Sequence, residues 1–398
     1  MANPKLANQR KRIIDSKQYK SLYQKWDLYI PFMELGISHL CADGGVMTMI
    51  VPYPLSNQMY AEKLRKMFTH EYNLYKVVDL SGTKIFDNAT VSNCIPFVCK
   101  AKQQEYIAIA HINEQKQITT DFKQPLVKLR QDEKSEVWNL TQEQRQTNRH
   151  PNMRILGDFC YISVGMVLNA DEKTAKGEFA KEDLISLTKD SIHCREYIEA
   201  KDIERYRVKR VRYLEYDTSR VPDKLRRPTF RELYDREKLV MNCLGGLNTT
   251  LDRDNMYLHN HSIYCAILWK DLCGIDNKSI AGVVKKFSSL TRREMEDLSA
   301  GYDLRYFLGL LNSNYTKILL DDIRGGDYHI YPEHIRKLPI PSATPAQQQP
   351  IIDLVDSILA KKKHNPQADT SVEENAIDKL VYQLYGLSED EIKQIETE

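Results

Sequence analysis

Between Trp26 and Lys100 the apolar residues change spacing several times, and each change marks a new element. Leu28, Phe32 and Leu35 recur at helical spacing and predict a helix over 26–40, stopped by the turn Asp43-Gly44-Gly45. Residues 46–51 are apolar almost throughout, as in a strand covered on both faces. A polar helical stretch over 57–72 follows, then a strand over 75–80, a turn at Gly82 and a strand over 94–99. Helix alternating with strand on this scale predicts an α/β fold with a doubly wound sheet. In such a sheet 46–51 would be a central parallel strand, yet no strand pattern precedes Trp26. The sheet is therefore expected to present an apolar open edge, which a partner chain or another cover must close.

Beyond residue 101 the pattern loosens. A short strand over 106–111 leads into a Gln- and Lys-rich connector, and 152–340 mixes short strands, glycine-containing turns and basic segments. After Pro339, Pro341 and Pro345, helical spacing returns: Ile351, Ile352, Val355, Ile358 and Leu359 predict a helix over 347–363, and a second is expected over 376–384.

Composition adds one local feature. A formal charge of +2 says little, but 201–238 holds thirteen Lys/Arg against eight Asp/Glu, which suits a nucleic-acid partner. The eight cysteines are scattered without a CxxC pair or zinc-like spacing, so buried reduced thiols are expected and no metal site is. His259, His261, His329 and His334 form no ligand spacing and are assigned to local packing or solvent. No Asp…Glu-x-Lys cluster of the nuclease kind stands out. With no run of eighteen apolar residues and no apolar leader segment, the expectation is a cytoplasmic protein that does not touch a membrane.

Seven blocks in order carry a resemblance. They are Asp27-Leu28-Tyr29-Ile30-Pro31-Phe32, Gly44 to Pro52, Lys84-Ile85-Phe86-Asp87-Asn88-Ala89-Thr90-Val91, Tyr197 to Tyr206, Leu308 to Ser313, Leu338-Pro339-Ile340-Pro341 and Asp378 to Leu387. Together they resemble the TaqI-like, gamma-class adenine-N6 DNA methyltransferases, including the fused type IIG restriction-modification enzymes. Residues 1–24 are polar and basic and read as a linker or a helix without its context; the resemblance implies the C-terminal part of a Rossmann-like methyltransferase domain (25–112), a connector (113–150), a mixed α/β target-recognition domain (151–341) and C-terminal helices (342–398). It implies S-adenosylmethionine as cofactor and double-stranded DNA as partner.

The family's glycine-rich cofactor loop and Asn-Pro-Pro-aromatic motif are not found; Asn3-Pro4-Lys5-Leu6 lacks the second proline and the aromatic. Adenine's exocyclic nitrogen is a weak nucleophile until acceptors polarise it, so no complete catalytic set is expected here, and an upstream methyltransferase half or adjacent subunit is expected as a further partner. The alternative is a catalytically inactive DNA-specificity subunit, or the remnant of a split gene. The resemblance matches Phe32 to the ring that closes over the cofactor's adenine, and Phe86 to the ring that stacks on the flipped target base. Core packing is the other reading of both. Arg205, Arg207 and Lys209 would share one face if extended and, with Arg210, Arg212, Arg226, Arg227 and Arg324, are the candidate DNA contacts; a solvated charged strand is the alternative. Gly245-Gly246 and Arg324-Gly325-Gly326 fit either turns or close approach to phosphate.

Overall fold

The computed structural model describes residues 4–81, 85–86, 92–112, 117–132, 135–138, 140, 153–171, 175–227, 230–242, 246–324 and 330–397. It divides into two units, Met1–Gln146 with Arg324–Tyr328 and Thr147–Ile323 with His329–Glu398. Both mix helix with sheet, as an α/β chain should.

The first unit is built on a six-stranded sheet in the order β1-β4-β3-β5-β6, with β2 also paired to β4. The strands are β1 (Val46–Thr48), β2 (Val51–Pro52), β3 (Asn73–Asp79), β4 (Asn93–Cys99), β5 (Tyr106–Ile112) and β6 (Ile118–Pro125). The expected α/β fold forms, and its sheet is mixed: β4 runs antiparallel to both β1 and β3, and β5 runs parallel to β3. The reason lies in the short link 100–105, which steps over the end of β3 without a crossover helix, so β4 and β5 must run in opposite directions. Among the described residues the apolar stretch 46–51 lies at the margin of the sheet, the apolar open edge expected from the sequence. It is split into β1 and β2, and Val46, Met49 and Ile50 are exposed. No strand pairs with the free side of β1 among the described residues.

One face of this sheet is well covered. Met47, Leu74, Val77, Val98 and Ile109 share a buried cluster with Ile30, Met33, Ile37, Leu64 and Phe68. On the other face Val78, Leu80 and Ala110 form a small cluster with half-buried Ile85, Ile95, Phe97 and Ile112. The helix Tyr29–Leu35 buries Tyr29, Ile30 and Met33, and not the stripe through Phe32 that spacing predicted. The stretch 57–72 is helical as expected: after the turn Pro54–Asn57, a continuous run from Met59 to Glu71 changes winding at Glu62 and Met67. Arg65, only 1% exposed, ties them together by donating to the Leu55, Gln58 and Glu136 carbonyls. Of the two readings of the N-terminal segment, linker or helix, the helix forms. After the helix Pro4–Asp15, Glu34 accepts from the Lys20 and Ser21 N–H groups, and Arg10 lies 5.2 Å from the Trp26 ring.

The second unit contains two four-stranded sheets. One is antiparallel, in the order Cys160–Val164, Ile263–Leu268, Lys238–Asn242, Asn248–Asp252. The other runs Ile185–Ser186, Arg212–Glu215, His193–Ile198, Leu258–His259, the last pairing parallel. Lys238 and Asp252 face each other in register, fully buried, with Nζ 2.6 Å from the carboxylate. The two C-terminal helices form as predicted, at Pro345–His364 and Ser371–Tyr385. Thr344 and Gln347 make a capping box at the start of the first, and Gly386, with φ 65°, ends the second. Ile351, Val355, Ile377 and Val381 pack with Phe307, Leu308 and Leu311 of the helix Leu304–Asn312. Cys94, Cys160 and Cys265 are buried free thiols as expected, whereas Cys273 is exposed.

Candidate nucleic-acid interface

Each candidate residue is placed by its own element. Phe32 is 55% exposed on the outer face of the helix Tyr29–Leu35, which removes it from the core. Phe86 lies past the end of β3 and is 47% exposed, while its neighbour Ile85 packs on the sheet. Lys84 and Asp87 to Val91 lie outside the described residues, as do Gly82, Gly245, Gly325, Gly326 and His329. A cofactor seat on Phe32 would need an acceptor for ribose hydroxyls. The one carboxylate of that helix, Glu34, is buried and already takes two backbone N–H groups and the Ser21 hydroxyl. The described residues of this helix therefore offer an aromatic face without that acceptor, and do not by themselves fit S-adenosylmethionine.

The basic segment is not a row of free cations. Ile203–Glu204 pairs with Arg207–Val208 as a tight hairpin, and the two turn residues are Arg205 and Tyr206, the latter at φ 65°. Arg205, Arg207 and Lys209 therefore do not line one face of an extended strand. Each has a carboxylate instead: Arg205 meets Glu374 at 3.0 Å, Arg207 meets Glu204 at 2.6 Å and Lys209 meets Glu204 at 3.2 Å. Arg205 also donates to the Asn312 carbonyl and forms part of the wall of a polar cleft of about 300 Å³ with Lys362, Asp369, Glu374 and Asp378. Arg212 is buried against Asp202, with Glu199 at 3.5 Å. Arg324 is half-buried at the end of the helix Asn314–Arg324. Only Arg210 of the segment is exposed without an ion pair among the described residues.

Arg226 and Arg227 present the opposite picture. Both are exposed, and neither has an ion-pair partner among the described residues. The strand Leu225–Arg226 pairs with Val167–Ala170, placing Arg226 opposite Val167. Arg227 holds φ 52°, a left-handed conformation uncommon for a side chain of its size and a frequent companion of functional loops. One residue before Val167, Met166 bridges to Asn260 and accepts the His261 N–H at 2.9 Å. This crossing needs Gly165, because a β-carbon there would come within 2.6 Å of the Asn260 carbonyl and closer still to His259. His261, which the sequence assigned to local packing or solvent, thereby lies on the strand crossing next to Arg226. Its imidazole is held below its ordinary value, first by partial burial and then by the charge of Arg227, with smaller contributions from Lys181 and Arg226 and against a hydrogen bond to the Met166 backbone. No spacing rule could have found it, since the segments that meet here are far apart in the chain.

Residues 2–86 match the Eco57I restriction-modification methylase family. Over those residues the chain is similar to the restriction-modification methylases. The match begins well before Trp26, where the sequence blocks begin, and takes in the anchored N-terminal helix. The type II methyltransferase M.BstVI of Geobacillus stearothermophilus is 30% identical over 89 residues, which is 22% of this chain and 16% of that protein. Among solved structures, the type IIL restriction-modification enzyme MmeI in complex with DNA aligns at a TM-score of 0.47 and 10% identity, over 94% of this chain and 53% of that one. The type ISP enzyme LlaGI, as a nuclease-deletion mutant with a DNA substrate mimic, gives 0.47 and 12% identity over 86% and 32%. The chain thus spans about half, or less, of these longer relatives. No described helix is long and apolar enough to cross a membrane.

Proposed function

We propose that this chain is the DNA-recognition and target-base side of a site-specific adenine-N6 DNA methyltransferase, working with a second polypeptide or segment that carries the S-adenosylmethionine loop and the Asn-Pro-Pro-aromatic motif. The observation that carries this reading is the free side of β1, within the stretch that matches the methylase family. Val46, Met49 and Ile50 there, and Leu40 and Phe32 nearby in sequence, leave apolar surface in water beside unpaired backbone groups. Such a margin favours strand addition from a partner. A methyltransferase sheet completed at β1 would supply what the described residues lack, while Phe86 offers a face on which an extruded base can stack. In the second unit, the paired cations around Arg212 hold the scaffold, and Arg226, Arg227 and Arg210 meet duplex phosphates.

The decisive measurement is transfer of labelled methyl groups from S-adenosylmethionine to duplex DNA. The chain alone is expected to be inactive, and a mixture with the complementary methyltransferase half active. Activity of the unaided chain would overturn the reading. Duplex binding without activity in any mixture would favour a specificity subunit that does no chemistry.

A further inference from the structure

We infer that the N-terminal segment 11–25 is a fixed basic strap that grips the sugar-phosphate backbone of duplex DNA without regard to sequence, a contact carried by the first unit. The inference rests on the DNA-recognition reading for the identity of the polyanion, and on no residue of the second unit. Residues 8–25 hold Arg10, Lys11, Arg12, Lys17, Lys20 and Lys25 against the single acid Asp15. Arg10 is engaged by the fold, donating to the Trp26 carbonyl at 2.7 Å. The other five cations are exposed, and none has an ion-pair partner among the described residues. Carboxylates nearby are occupied: Glu34 receives the Lys20 and Ser21 N–H groups and the Ser21 hydroxyl, and Glu62 pairs with Lys66 at 2.7 Å.

A run of cations is most often a solvated face, and two features set this one apart. First, its backbone is built into the core of the unit while its charges are not. Ile13 and Leu22 pack against the buried cluster beneath the sheet, and Trp26 belongs to that cluster. Glu34 is 3% exposed, so its carboxylate is satisfied only while residues 20 and 21 lie against it. The path of the strap is thereby fixed before any ligand arrives, and binding loses little chain entropy. Second, a cation from another element joins the row. Lys63, exposed in the segment Glu62–Lys66, places Nζ 5.5 Å from the centre of the Tyr23 ring and 3.5 Å from the Leu22 carbonyl. Tyr23 is itself 37% exposed, so an aromatic surface lies among the lysines, a mixture that suits sugar and phosphate. Gathering these like charges costs electrostatic free energy in the free protein, and a polyanion relieves it while releasing its own counterions. Protein interfaces are depleted in lysine whereas nucleic-acid interfaces are strongly positive, which favours DNA over an acidic protein segment. Lysines act as point charges rather than planar forks, so the contact carries no sequence preference.

The test is the salt dependence with which the whole chain binds a fluorescent duplex, in two unrelated sequences. Four proteins are compared: the wild type, the strap variant Lys17→Gln/Lys20→Gln/Lys25→Gln, the Arg226→Ala/Arg227→Ala variant, and a control, Lys278→Gln/Lys285→Gln/Lys286→Gln. The control removes as many charges from exposed positions of the helix Lys278–Phe287. The strap variant is expected to lose about 2 to 3 in log–log slope, equally for both sequences, and the control almost none. In parallel, lysine acetylation is mapped by mass spectrometry with and without duplex, and Lys17, Lys20, Lys25 and Lys63 should be protected. Equal slope losses in strap and control variants would reduce the effect to bulk charge and overturn the inference, as would strap lysines that stay reactive in the bound chain. Slope lost in the strap variant with the Arg226, Arg227 variant unchanged supports the strap and overturns the second unit's share of the proposed interface. The reverse pattern overturns the strap and leaves that reading standing, and a wild type that binds no duplex overturns both. Methyl transfer does not enter the measurement, so a chain that never supports it still decides the strap.

Discussion

Two arginine-rich stretches of the second unit, 205–212 and 226–227, look alike in sequence and end in opposite situations. In the first, Arg205, Arg207, Lys209 and Arg212 each meet a carboxylate, and Arg212 is buried doing so. In the second, Arg226 and Arg227 face solvent with no carboxylate among the described residues, beside a histidine that already feels their charge. Cation density along a chain measures what is available to a polyanion only after the fold's own carboxylates have been subtracted. Here that subtraction moves the centre of the proposed interface from the longer, more basic stretch to the shorter one.

The contrast breaks most visibly if a structural cation loses its partner. Asp202→Ala removes the nearer of the two carboxylates on Arg212, which is 7% exposed at its side chain, and leaves only Glu199 at 3.5 Å; it is expected to destabilise the second unit by about 3 kcal/mol, read as a shift in urea midpoint at constant slope. A loss below about 0.5 kcal/mol, the ordinary range for surface changes, would mean that Arg212 is not held as described. Next in size is the Arg226→Ala, Arg227→Ala double variant. It should leave stability within about 0.5 kcal/mol of wild type, weaken duplex binding and make the salt dependence shallower by about 1.8 in log–log slope. Arg207→Ala with Lys209→Ala should leave that slope nearly unchanged, and the reverse pattern would exchange the roles of the two stretches.

The smallest effect belongs to a base held between acids in the first unit. The Asp79 carboxylate, 3.7 Å from Nε2, raises His111 to about 9, against the cost of its partial burial and with further help from Asp121, hydrogen-bonded to Nδ1. Its folded-state value lies above the unfolded one, so its contribution is fully present below about pH 6.5 and is lost as the pH rises through about 9. Urea midpoints of wild type and His111→Asn should converge across that window; a constant gap would remove the linkage.

Much of the first sheet was legible because apolar runs are local. The strands expected over 75–80, 94–99 and 106–111 form as Asn73–Asp79, Asn93–Cys99 and Tyr106–Ile112, and both C-terminal helices fall within a few residues of their predicted spans. Strand direction was not legible, since a buried parallel strand and a sheet margin awaiting a neighbour carry the same apolar signature. The helix stripe was misread for a similar reason: Leu28, Phe32 and Leu35 have the right spacing, but Tyr29, Ile30 and Met33 have it too, and only packing decides between them. At the interface, the resemblance drew attention to basic residues but held no information about Glu374 or Asp202. Those partners come from a distant helix and from the far side of a hairpin. His261 was missed because its position depends on a glycine-permitted crossing between Met166 and Asn260.

The Lys238–Asp252 pair bears on how this fold is selected from its alternatives. The two residues lie opposite each other near the ends of adjoining strands, and both are sealed from water. If the hairpin slid by a single residue, two opposite charges would be marooned in hydrocarbon on different faces, a far worse outcome than the loss of a few apolar contacts. The pair therefore works as a registration pin: it adds little to the favoured alignment and penalises every neighbouring one, so the platform beneath the Arg226 corner assembles in one frame.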